Sequence, residues 1–263
     1  MQKIVFNAHY LMYFDTAMAD YWRTLALPYE EAMLALGGEL YVKKATLEYH
    51  GSARLDDQLE VALKCIHIGN SSMVFAGVIF RTDAVLVTCE LVYVFADPVS
   101  QTSRPVPLAL RSLVDRYEAA QCVVDAQAGN WAALGMPVTQ IRAAVFAQEP
   151  GVLPDDEHNE TDRLALHVVV FNGLGQGIAT GRLLITGNGS GHISLLGVHR
   201  AVRGAGIGQG VLERLIQEAR ERGCFQVVLH APSSAVDFYQ RLGFAACGES
   251  FMVAGIRFII KTF

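Results

Sequence analysis

The stretch that most constrains this chain is VHRAVRGAGIGQG (198–210), a glycine-rich loop between an apolar run and an amphipathic one. ISLLGV (193–198) reads as a strand, and after the loop Val211, Leu212, Leu215, Ile216 and Ala219 recur at helical spacing until Gly223 stops the run. A strand, a glycine turn and a helix in that order aim the free N–H groups of the helix's first turn into the loop, where they attract an anion. Spacing separates the kinds of phosphate loop. Glycines at 204, 206 and 208 fail the dinucleotide pattern, because Gln209 stands where the third glycine belongs. The next apolar run, 225–229, ends at His230 and Ala231, with no carboxylate for a ribose. The Walker loop needs Gly-Lys followed by Ser or Thr, and the chain has none. What remains is Arg203-x-x-Gly206-x-Gly208 opening a helix, which suits a diphosphate carried by something other than a dinucleotide.

Two further segments make that reading specific. LHAPSSAVDFYQRLGF (229–244) follows the loop, and IRAAVFAQEPGV (141–152) with DRLALH (162–167) precedes it. The run 191–244 resembles the GNAT superfamily of N-acetyltransferases, and the upstream segments are similar to a branch of small bacterial acetyltransferases with an IRxxVFxxEQGVP signature. The likeness extends over roughly residues 120–263. It implies acetyl-CoA as the substrate that enters the glycine loop, with no metal. Arg203, Gly204, Ala205, Gly206, Ile207 and Gly208 would hold the pyrophosphate, and the strand at Leu196, Gly197 and Val198 would hydrogen-bond the acyl carbonyl and pantetheine. Tyr239 would sit near the sulfur and protonate the departing thiolate.

Departures from that branch fall where an acceptor would be recognised. Pro150 replaces the usual Gln after Glu149, Val253 stands where a Glu is common, and Arg257-Phe258 replaces Pro-His. A cationic amine needs carboxylates near it and a base to take its proton. Glu249, a catalytic candidate, and His192 and His199 are the substitutes on offer, and the sequence does not identify the acceptor.

The N-terminal half follows another plan. Tyr10, Leu11, Phe14, Ala17, Met18, Tyr21, Trp22 and Leu25 fall at helical spacing, a long helix with a broad apolar face. After Gly37-Gly38 come β-prone runs at 40–49, 59–68, 73–81 and 85–95, an antiparallel meander. PVSQTSRPVP (98–107) and a short helix at 108–117 close this half, so domains are expected at 1–117 and 118–263. Residues 1–112 carry 9 basic and 12 acidic side chains, net −3, and the rest carry 12 and 14, net −2. Neither half is basic, which argues against a nucleic-acid partner. Five cysteines without CxxC spacing fit a reducing cytoplasm, and no early basic-then-apolar segment suggests a signal peptide or membrane span.

VFNAHYLMYFDTAMADYW (5–22) with ARLDDQLEV (53–61) resembles the hotdog acyl-CoA thioesterases of the 4-hydroxybenzoyl-CoA thioesterase type. In that family an aspartate precedes the helix in the pattern Asp-x-x-Gly-Ile/Val-Val, and an N–H at the helix start polarises the thioester carbonyl. Laid on this chain, Lys3 takes the glycine's place, Ile4-Val5 the apolar pair and Asn7 the backbone donor. The aspartate then falls one residue before Met1, so the expectation is a start that omits the first strand and catalytic carboxylate, the alternative being a half that binds or oligomerises without hydrolysis. Asp15 lies about 12 Å along the helix from Asn7 and reads as structural, exposed or supplied across a subunit interface. Asp56-Asp57 reads as a turn cap and His9 as a packing or capping residue. DDEHNETD (155–162) lacks metal-ligand spacing and reads as a solvated loop.

The fold class expected is α+β: a hotdog domain, a long helix wrapped by antiparallel sheet, followed by a GNAT α/β domain with a mixed sheet. The expected function is a bifunctional acyl-CoA-using protein: an N-acetyltransferase fused to a thioesterase-like domain, assembling as a homodimer or larger through the hotdog half. The alternatives are a non-catalytic acyl-CoA sensor and a hotdog half that serves only as an oligomerisation platform.

Overall fold

The computed structural model describes residues 3–146, 160–187, 189–247, 251–253 and 256–262, and the chain divides into two compact units, Met1–Val123 and Val124–Phe263. The first unit runs α1 (Asn7–Thr24), α2 (Tyr29–Leu36), β1 (Glu39–Tyr49), β2 (Glu60–Ile68), β3 (Ser72–Arg81), β4 (Ala84–Ala96) and α3 (Leu108–Glu118). Its antiparallel sheet has the order β1-β4-β3-β2. α1 buries Tyr10, Phe14, Met18, Tyr21 and Trp22, the stripe its periodicity predicts. Each such side chain removed from water contributes about 1.5–3 kcal/mol. Leu11 departs from the expectation at 43% exposed, since periodicity sets where a side chain points and not whether a neighbour covers it.

Gly77 explains how closely the helix sits on the sheet: a Cβ there would lie 2.6 Å from both the Phe14 ring and Cys89 Sγ. The far end of α1 is tied by polar contacts. Tyr21 donates to Glu118 Oε1 at 2.8 Å, and the same oxygen accepts the Cys65 N–H at 2.7 Å, joining α1, α3 and β2. This is the hotdog arrangement, with strand ends within a residue of those read from the sequence.

The second unit contains β5 (Val124–Gly129), α4 (Trp131–Phe146), α5 (Thr161–Leu164), β6 (Leu166–Asn172), β7 (Gly177–Thr186), β8 (Ser190–Val198), α6 (Ile207–Glu221), β9 (Gln226–Pro232), α7 (Val236–Arg241), β10 (Ala245–Ala246), β11 (Phe251–Val253) and β12 (Ile256–Thr262). The sheet order is β10-β12-β9-β8-β7-β6-β5, with β11 on β12; β8 and β9 run parallel and the other pairs antiparallel. α6 buries the five residues whose spacing announced it, and Gly181 makes room for its Leu215, 2.7 Å from where a Cβ would be. α4 packs through Leu134, Val138, Ile141, Val145 and Phe146 around Val169. No helix among the described residues is long and apolar enough to cross a membrane.

Candidate active site

The site begins where two parallel strands part. β8 and β9 pair from Ser190↔Gln226 to Ile193↔Leu229, and beyond that β9 follows β12 while β8 follows β7. The register between β7 and β8 jumps from Arg182↔Ser194 to Thr180↔Gly197, so Leu195 and Leu196 together face the single residue Gly181. That is a β-bulge, which bends the strand and re-aims its groups. Leu195 takes a φ of +50°, a left-handed conformation that a leucine adopts only when its surroundings impose it. Beyond the bulge Gly197 lies under α4, where a Cβ would come within 2.9 Å of the Phe146 ring. The edge of β8 from Leu196 to Val198 is thus turned to the gap between the strands.

α6 opens into the same gap. Gly206 caps it at a φ of +79°, Gly204 precedes it at +88°, and the first helical bond is Gly210 N–H to Gly206 C=O at 3.1 Å. The N–H groups of Ile207, Gly208 and Gln209 therefore have no partner within the helix, a ready seat for an anion. Arg203 Nε donates to Val198 C=O at 2.9 Å, anchoring the arginine beside them. The gap forms a cleft of about 720 Å³, lined among others by Leu196, Gly197, Val198, Arg203, Gly206 and Tyr239. The cleft thus brings together residues spread over 44 positions of chain, 196 to 239.

Tyr239 on α7 is 7% exposed, packed edge-on against Phe238 and Phe244, and burial pushes its phenol up to about 12. It keeps its proton at neutral pH. His199 is taken up locally, its Nδ1 accepting the Ala201 N–H at 3.4 Å to cap a short turn. His192 stacks edge-on with His230 at 5.0 Å, and its Nε2 is buried without a partner. Burial, then the His230 and Arg182 charges, pushes the His192 pKa down, leaving a neutral imidazole. Glu249 lies outside the described residues, as do Glu149 and Pro150.

The reading of 155–162 as solvated is corrected at its last residue. Residues 155–159 lie outside the described part, but Asp162 is 1% exposed. Arg142 from α4 grips it with two bonds, at 2.8 and 3.1 Å, and Arg182 from β7 adds a third at 3.1 Å. His167 Nε2 meets the Asp162 carbonyl oxygen at 2.9 Å. Burial pushes the Asp162 carboxyl up, the two guanidiniums more than offset it, and the net shift is downward. The signal was in the quoted segments at 141–152 and 162–167; what spacing alone did not reveal is that the two converge.

In the first unit the expected donor, Asn7, is the first residue of α1, and its N–H has no acceptor within the helix. Tyr49 donates to its carbonyl at 3.3 Å, and Val5 N–H to Ala53 C=O at 2.8 Å ties down the incoming chain. Lys3, Ile4 and Asn7 are exposed, and His9 packs edge-on against Phe6. Asp15 is exposed, whereas Asp57 accepts from Arg54 N–H and Arg81, each at 2.8 Å, a turn cap as expected.

A mixed sheet parted at β8 and β9 with a glycine-capped helix in the gap defines a GNAT fold, and a helix laid on an antiparallel meander defines a hotdog fold. Comparison with known proteins agrees: residues 157–260 match the acetyltransferase (GNAT) domain family and residues 2–88 the thioesterase superfamily. The chain is similar to the uncharacterized protein YyaT of Bacillus subtilis, 30% identical over 126 residues, 47% of this chain and 84% of that one. It is likewise similar to the uncharacterized N-acetyltransferase YjcF of Bacillus subtilis, 30% identical over 117 residues, 44% of this chain and 82% of the other. Acyl-CoA thioester hydrolase YbgC of Escherichia coli is 28% identical over 108 residues, 41% of this chain and 80% of its own. The chain belongs to the GNAT acetyltransferases through its second unit and carries a thioesterase-superfamily domain in its first. It is an acyltransferase fused to a domain of hydrolase type.

Proposed function

We propose that the second unit transfers an acyl group from acetyl-CoA to an amine by direct attack, without a covalent enzyme intermediate. The observation that carries this is the single cleft holding the opened β8 edge, the glycine-capped start of α6 and Tyr239. In this reading the pyrophosphate sits on the N–H groups of 207–209 with Arg203 beside them, where charge-assisted bonds are strong. The β8 edge at Leu196–Val198 takes the pantetheine and polarises the acyl carbonyl; as the N–C bond forms and the C–S bond breaks, Tyr239 hands its proton to the thiolate, the attacking nitrogen releases one to solvent, and solvent reprotonates the phenolate. A phenol near 12 is a weak acid, so its help is concentrated where negative charge on sulfur is greatest.

The first unit, in the same reading, binds acyl-CoA thioesters with the Asn7 N–H at the carbonyl. Its self-association is supported by β1, an edge strand on which Tyr41, Val42 and Tyr49 are exposed. The test is free-thiol release from a panel of acyl-CoAs, with and without a mixture of primary amines. Release that needs an amine is the expected result. Release independent of amine assigns the activity to hydrolysis, and tight binding without release makes the chain an acyl-CoA sensor.

A further inference from the structure

The most buried polar cluster of the second unit lies outside the cleft, and it ends on the bulge that opens the cleft. Arg142 and Asp162 face each other in a two-bond pair with almost no solvent contact. Asp162 in turn holds the Arg182 terminal nitrogen at 3.1 Å, and Arg182 Nε donates to Ser194 Oγ at 3.0 Å. Ser194 is the first residue of β8 past its last pair with β9, and the residue immediately before the left-handed Leu195. Leu196, one further on, lines the cleft.

A leucine held at positive φ relaxes unless both sides of it are pinned. On the far side Gly197 and Val198 are pinned by pairing with Thr180 and Ala179. On the near side the pairing with β9 has already ended and only the β7 pair Arg182↔Ser194 continues, so the Arg182–Ser194 side-chain bond reinforces β8 on the side that has lost a neighbour. A planar guanidinium suits this task, since one edge can hold the carboxylate while Nε reaches the hydroxyl. His167 meets the main-chain oxygen of Asp162, and the Trp131 ring lies 5.2 Å from His167 and 5.9 Å from the Arg142 guanidinium, filling the remaining space. An arginine, an aspartate and a second arginine drawn from α4, α5 and β7 are thus linked in series, and the last of them reaches one serine hydroxyl.

We propose that Arg142, Asp162, Arg182 and Ser194 form a positioning relay that holds the β8 bulge in the shape that aims the Leu196 backbone at the acyl carbonyl of bound acyl-CoA. The relay touches no substrate; it acts through the main chain of Leu195 and Leu196. It rests on the reading that the cleft binds acyl-CoA, and it adds that carbonyl polarisation and pyrophosphate binding are separable, because the pyrophosphate seat at 203–209 is built from other residues.

The test uses the full chain and acetyl-CoA carbon-13 labelled at the carbonyl, with unlabelled CoA as the second ligand. In the native chain the bound carbonyl resonance is displaced from that of free acetyl-CoA by the hydrogen bond it accepts. Ser194→Ala removes the last link without leaving a buried charge unpaired, and is expected to lose that displacement while CoA affinity by calorimetry stays unchanged. Arg182→Lys keeps the charge but not the two-way reach, and should do the same; Ser194→Thr, which retains the hydroxyl, should restore the native resonance. A Ser194→Ala chain that keeps the native carbonyl resonance overturns the relay, as does a native chain that binds CoA without displacing it. A native chain that binds neither CoA nor acetyl-CoA instead sinks the acyl-CoA reading itself, and Ser194→Thr guards against a variant that merely fails to fold.

Discussion

The two helix starts proposed to receive acyl-CoA are built differently. α1 begins at Asn7 behind Phe6, an N-cap with no side-chain bond, and its first turn is exposed. α6 begins behind Gly206 inside a cleft walled by the β8 edge and α7. Each helix end carries about half a positive charge, so the dipole does not separate them. The surroundings do. At α6 a bulge, two left-handed glycines and an arginine tied to Val198 bring several weak attractors onto one volume, while at α1 the described residues 7–9 are exposed.

The largest effect expected is at Tyr239. Tyr239→Phe should slow amine acylation by about 10²–10⁴-fold, the range for a lost general acid, with the KM for acyl-CoA little changed. Because burial pushes the phenol up to about 12, it is protonated and able to donate at all lower pH, so the native pH–rate profile should show no fall from tyrosine ionisation short of that value.

Asp162→Asn comes next and separates architecture from chemistry. It removes the carboxylate charge that Arg142 and Arg182 share, and should destabilise the second unit by about 3–5 kcal/mol in urea unfolding, leaving the first unit's transition in place. The folded carboxyl lies below its ordinary value of 3.8, so its stabilising effect is complete above that pH and disappears as pH falls through the lower, folded value. Native and variant chains should therefore converge in strong acid; a constant gap would contradict the pair.

At the other helix start, Asn7→Pro removes the one N–H proposed to act there, and proline is well tolerated as the first helical residue. Any thioester hydrolysis by the chain should drop about 10²–10³-fold, whereas Asn7→Ala, which keeps the N–H, should leave it intact. Equal effects of the two would mean that the side chain, and not the backbone, does the work. The smallest effect expected is Arg203→Ala, a loss of about 1.5–3 kcal/mol in CoA binding with retained fold, since its partner Val198 C=O is reached by an exposed side chain. A matching loss in 3′-dephospho-CoA, which retains the pyrophosphate, would place Arg203 at that group.

Much of this was legible in the chain itself. Hydrophobic periodicity sets local structure, so α1, the four strands of the meander and α6 could be read off, and glycines at 204 and 206 marked turns that other residues rarely make. Exposure was not legible at Leu11, because a covering neighbour is a property of the packed molecule. Nor was the role of His192, whose partner His230 lies on the next strand.

The sequence by itself determined the two folds and the glycine-capped helix start, because turn geometry and amphipathic spacing are local properties of a chain. Only the tertiary structure decided that β8 leaves β9 after Ile193, that Leu195 is bulged, and that Arg142 and Arg182 meet on Asp162 while Arg182 reaches Ser194. Those are consequences of strand pairing and of burying charge, and both depend on residues far apart in the chain being brought within a hydrogen bond of each other.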